Sequence, residues 1–272
     1  MHPWLATPPG RYLIDWEQTR MDEAVADIFG YRAAQLGLPA LDGLRASRIG
    51  SRWRVALGHD RDELPGAVLA CDAAALPFAP ASLDLVLMPH TLERSPDPRT
   101  ALREAERVLM PEGRIVISGF NPTSLWGMRQ RRAALCRRLG GAPRPWVPET
   151  GDFVGYLRLR DWLTLLGFEV ESSRFGCYRP AVRGQRALDR MAWMDTAGDR
   201  WWPIFGAVYF LVAVKRVQGV RPLHRAVARP APGRLVPAAA RAPLPGGAGR
   251  SPVAASAADP LPSAYSSTGK TT

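Results

Sequence analysis

Short apolar blocks alternate along the chain with stretches of helical spacing. Met21, Ala24, Val25, Ile28 and Phe29 recur at helical intervals with acids on the other face, and Gly30 ends the run. That spacing predicts an amphipathic helix ahead of the first strand. Residues 31–36, 54–57, 67–70 and 85–88 read as short strands. Asp97 and Pro98 suit the start of a helix whose apolar face is Ala101, Leu102, Ala105, Val108 and Leu109. After the turn Pro111-Glu112-Gly113 come a strand over 114–120, a helix over 160–166 stopped by Gly167, and strands over 168–173 and 207–214. The strands are nearly continuous apolar runs rather than alternating ones. Such strands, interleaved with helices, argue for a mostly parallel sheet covered on both faces.

Composition changes this picture at one end. The chain has 272 residues and a formal net charge of +11, long enough for one large core and one or two domains. From Gly219 onward, Arg221, Arg225, Arg229, Arg234, Arg241, Arg250 and Lys270 face Asp259 alone, among Pro, Ala, Gly and Ser. A segment with so few large apolar side chains cannot offset its chain entropy, so 219–272 reads as a disordered basic tail. Cys71, Cys136 and Cys177, with His2, His59, His90 and His224, are scattered and suggest neither a disulfide framework nor a zinc site. Reduced thiols and a start without a basic-then-apolar leader point to a cytoplasmic protein. The most apolar run, 204–214, is too short for a membrane span of about 20 residues and fits a buried strand. Hydrolase, P-loop and dinucleotide fingerprints are all missing.

In the middle of the chain, Asp72, the step Leu76-Pro77-Phe78, SLDLVLMPHTLE and ALREAERVLMPEGRIVISG follow in order. This stretch, about 68–127, resembles class I S-adenosylmethionine-dependent methyltransferases, specifically the type 11 methyltransferase domain. LRDWLTLLGFEVESSRF and AVYFLVAVKR look like that family's late helix, sixth strand and antiparallel seventh strand. The resemblance implies an α/β, Rossmann-like, mostly parallel seven-stranded sheet with an antiparallel last strand, plus helical insertions and the tail. The implied methyltransferase-like domain is 1–218, with core motifs in 31–127 and insertions at 128–156 and 175–206.

The resemblance also implies a site for S-adenosyl-L-methionine. Asp72, closing the third strand, would accept from the adenine amino group, and Ala73 would offer its N–H to the ring. Met88 and Pro89, closing the fourth strand, would lie beside the methyl position. His90 is either a base there or a helix-start histidine with its hydrogen bonds satisfied. Gly37 and Leu38 stand where the family's glycine-rich first loop binds the cofactor, and Asp60 where an acid holds the ribose. Asp84 and Glu93 read as structural.

The first loop departs from the family pattern. AQLGLPALDG, residues 34–43, has Gly37 as the only glycine at the turn, with Pro39 unable to donate and Gln35 where an acid is usual. Either this loop holds the amino-acid end of the cofactor differently, or the protein is a non-catalytic relative that binds RNA or a protein partner. On the acceptor side, Arg129, Arg131, Arg132, Arg137 and Arg138 crowd one segment without an acid. They suit a phosphate, carboxylate or RNA acceptor or form a solvated basic helix. Asn121-Pro122 reads as a turn opening the next helix. Trp193, Trp201 and Trp202 read as the core of a cap or as stacking surfaces. The expected partners are a small-molecule acceptor or RNA, and no membrane.

Overall fold

The computed structural model describes residues 2–58, 69–142, 145–147, 151 and 153–216. The basic tail lies outside them. Seven strands form one sheet: β1 (Arg32–Leu36), β2 (Ser51–Leu57), β3 (Leu69–Cys71), β4 (Leu83–Pro89), β5 (Leu109–Phe120), β6 (Phe168–Gly176) and β7 (Val208–Lys215), in the order β3-β2-β1-β4-β5-β7-β6. The first five pair in parallel, and β7 runs antiparallel to both of its neighbours.

Alternate residues of β4 feed two cores, which is why the strand reads as an unbroken apolar run. Leu85 and Leu87 join Leu13, Met21 and Val25 of α2 (Pro8–Ala26) on one face. On the other, Val86 and Met88 meet Ala101, Leu102, Ala105 and Val108 of α4 (Pro98–Val108) and Leu159 and Leu163 of α6 (Tyr156–Leu165). A short α1 (His2–Leu5) precedes α2, and α3 (Thr91–Arg94) follows β4. Asp97 caps α4 as its position predicts, accepting from the N–H groups of Arg99 (3.0 Å) and Thr100 (3.2 Å).

α2 starts well before the spacing suggests, and it ends at Ala26. Phe29 therefore falls beyond the helix and is 71% exposed, a correction to the expected apolar face, whereas Ile28 is buried. Asp84 is structural, as expected. Its Oδ2 accepts from the N–H groups of Tyr31 (2.8 Å) and Arg32 (2.9 Å), fixing the start of β1. Asp84→Ala is expected to cost about 1–2 kcal/mol by orphaning these donors, read as a lower urea midpoint with an unchanged slope.

Between β1 and β2 no helix forms. Leu38, Leu41, Leu44 and Ile49 instead turn inward and fill the face beside α2. Asn121 opens α5 (Leu125–Arg138) as a turn residue: its Oδ1 accepts from the Thr123 N–H (3.1 Å), and Ser124 caps the helix through Gly127 N–H (3.0 Å). Between β6 and β7 lie α7 (Gln185–Arg190) and α8 (Trp193–Trp201). The reading of three tryptophans as a cap core is corrected there, because Trp193, Trp201 and Trp202 are 63%, 73% and 41% exposed. α8 buries Gly198, where an added Cβ would lie 2.3 Å from the Tyr178 ring, so the small residue rather than the indoles faces inward. No helix among the described residues is long and apolar enough to cross a membrane.

Candidate active site

The strand order reverses between β1 and β4. In open α/β sheets the crevice beyond the carboxyl ends at such a point is where ligands sit. Thr91 ties the two ends together: its Oγ1 donates to Leu36 O at 2.9 Å, and the side chain is buried. At His90 the backbone takes a left-handed turn (φ 49°), and its N–H still donates to Ser118 O (2.9 Å) on β5.

That turn sends the His90 ring beneath α2. Its Nε2 lies 2.9 Å from Glu17 Oε1 and its Nδ1 3.6 Å from Glu93 Oε2, with all three side chains fully buried. Both contacts are ion-pair distances that do not align as hydrogen bonds. Phe120 packs on the ring at 4.2 Å between centroids. Burial alone would push the imidazolium down, but the Glu17 carboxylate and then Glu93 outweigh it and raise His90 to about 10. A ring protonated at neutral pH has no lone pair to accept a proton. His90, read from the sequence either as a base or as a helix-start histidine, is thus enclosed, and it holds α2 to the end of β4.

Sequence reasoning missed Glu17, although the signal was present. Leu13, Glu17, Met21 and Val25 recur every fourth residue, so one carboxylate stands on a buried apolar stripe. Glu93 is structural as expected: its Oε1 accepts from the buried Phe120 N–H.

The first loop is satisfied from within. Gln35 Nε2 donates to Leu41 O (2.7 Å), with longer contacts to the carbonyls of Gly37 (3.3 Å) and Leu38 (3.4 Å), and its Oε1 accepts from Gly43 N–H (2.9 Å). An ionised acid at this position could not donate. The Gly37 N–H is spent on Val55 O (2.8 Å), and Leu38, also left-handed at φ 49°, is buried. At Gly43 an added Cβ would lie 2.9 Å from Leu87 Cδ1 and 3.2 Å from Gln35 Oε1, so the glycine lets the turn approach both side chains closely.

The far wall is different. Asp72 is exposed just beyond β3; its Oδ1 accepts from Ala74 N–H (3.0 Å), and its Oδ2 has no partner among the described residues. Ala73 beside it is buried. Met88 packs into the sheet-face core, and Pro89 ends β4, buried. Asp60 lies outside the described residues. The residues at Asp72 fit an adenine amino group, which needs an acceptor. Those at Gly37 and Leu38 do not fit the donor-rich cradle that a glycine loop gives the amino-acid end. Among the described residues no group of three or more potential ligands could hold a metal ion.

Residues 53–117 match the family profile described as a methyltransferase domain. YafS of Escherichia coli (strain K12), an uncharacterized protein, is 37% identical over 146 residues, 53% of each chain. The ubiquinone/menaquinone biosynthesis C-methyltransferase UbiE of Paracoccus denitrificans is 34% identical over 124 residues, 44% of this chain and 47% of UbiE. The chain thus spans about half the length of these curated relatives. A SAM dependent methyltransferase from Archaeoglobus fulgidus superimposes with a TM-score of 0.50 at 19% identity, covering 74% of this chain and 94% of that one.

Proposed function

We propose that this chain, which has the class I methyltransferase fold and a matching methyltransferase domain, binds S-adenosylmethionine at Asp72 and passes its methyl group to a small-molecule or RNA acceptor. The observation that carries the reading is the Asp72 carboxylate, just beyond β3, with one oxygen unpartnered among the described residues. When bound, the cofactor supplies an electrophilic methyl group, so the protein has mainly to bind, align and exclude water.

The chain's own groups divide that work. Asp72 and Ala73 hold the adenine edge, and Pro89 walls the methyl side. Thr91 keeps the ends of β1 and β4 at fixed separation. His90, charged and enclosed, supplies no base. An acceptor that is already nucleophilic at neutral pH, such as an ionised oxygen, suits a site without help from it.

A second reading has its own support: the Gln35-sealed first loop suits a silent fold that binds RNA or a protein partner. Isothermal calorimetry with S-adenosylmethionine separates the two. The methyl-transfer reading expects a binding isotherm that Asp72→Ala weakens by roughly tenfold or more, the worth of a hydrogen bond to a charged acceptor. Absence of heat at millimolar cofactor, with a native circular dichroism spectrum, leaves the silent reading.

A further inference from the structure

A cleft of about 810 Å³ opens between α5 and the start of α6. Arg131, Arg137 and Arg138 of α5 and Arg158 of α6 line it, over Pro122 and Phe153. Positions 131, 134, 137 and 138 share one face of α5, and Ala134 leaves room between the guanidinium groups. None of the four arginine side chains forms an ion pair or hydrogen bond with a described residue, and no acid is among the described residues that line the cleft. Four like charges repel one another unless an anion joins them.

The walls are held in place. Gln130 Nε2 donates to Val147 O (3.0 Å), while its Oε1 accepts from Trp146 N–H (2.8 Å), pinning the adjoining segment to α5. Gly151 N–H donates to Glu93 O at 2.7 Å, fixing the opposite rim to α3. The floor leads inward: Phe153 stacks on Phe120 at 4.9 Å and 24°, and Phe120 packs on His90. Phe153 thus packs the cleft floor against the carboxyl end of β5.

We infer that this cleft binds a small organic phosphate whose apolar or aromatic body rests on Phe153 while the arginines take the phosphate. Planar guanidinium groups match phosphate oxygens in pairs. The volume is that of a small-molecule pocket, and the apolar floor has no use for a bare nucleic-acid backbone. Its role as the acceptor pocket rests on the methyl-transfer reading above. The binding itself does not.

The test titrates phenyl phosphate into the full chain by calorimetry, with phenol and a single-stranded oligonucleotide as comparators. Phenyl phosphate should bind, phenol should not, and Arg131→Ala/Arg138→Ala should weaken the complex by roughly tenfold or more. Arg160→Ala, exposed on α6 but away from the cleft, should leave affinity unchanged. All substituted side chains are exposed, so circular dichroism and Tm should match the parent. Equal affinity in the double variant, no binding at millimolar ligand, or equal binding of phenol overturns the inference. Tighter oligonucleotide binding, lost in the same double variant, overturns it in favour of nucleic acid. Loss of the S-adenosylmethionine signal with phosphate binding intact removes only the methyl-transfer reading.

Discussion

Glu17→Gln should lower folding stability by about 3–5 kcal/mol near pH 6, the cost of stranding a buried charge. In a domain of this size that corresponds to a Tm drop of roughly 10 °C. The effect should also depend on pH in a defined direction. His90 is raised from 6.5 to about 10 in the folded protein, so the stabilisation it brings is complete below about pH 6.5 and fades as pH climbs through about 10. Removing Glu17 takes away the largest source of that rise, so parent and variant should converge across this interval. Urea unfolding at several pH values reads the gap. A gap below 1 kcal/mol, or one constant from about pH 6 to 10, would contradict the enclosed ion pair. Glu17→Leu/His90→Leu should recover most of the loss, since apolar side chains can replace a buried pair.

Gln35→Glu is expected to cost about 3 kcal/mol at neutral pH, although it restores the family's acid. The buried carbonyl of Leu41 would lose its 2.7 Å donor, and the more distant contacts at Gly37 and Leu38 would face a carboxylate. Such a site favours the protonated acid, raising its folded pKa above the unfolded value. The destabilisation should therefore be small near pH 4 and grow as pH rises, the reverse of the Glu17→Gln trend. Thermal unfolding across that range reads it. An undiminished Tm at pH 7, together with tighter S-adenosylmethionine binding, would show that the loop reorganises around the acid.

Most of the sheet was legible in the sequence because parallel strands buried on both faces leave short apolar runs, as in β4. Asp97, Pro98 and the α4 face marked a helix whose local signals agree with its packing. The first helix was legible only in its second half. Tyr12 and Trp16 lie on its flanks, and the acid at 17 breaks an otherwise apolar stripe, so periodicity alone places its start too late. The first loop, residues 34–43, shows in the sequence only as a departure from the family pattern. That a glutamine could organise it depends on which carbonyls the turn brings within reach, and spacing does not encode that. Asp72 was visible from its place at a strand end. The fate of His90 was not, because its partner lies far away in the chain and a left-handed turn decides which way the ring points.

The amino-terminal helix has a consequence for how the protein can be shortened. It covers one face of the sheet through Leu13, Met21 and Val25 and brings the carboxylate that answers the His90 charge. A chain begun at β1 would open that face to water and leave the His90 ring beside Phe120 with Glu93 as its nearest acid. What looks like a dispensable leader is thus a working side of the molecule, and purification tags belong ahead of it rather than in its place.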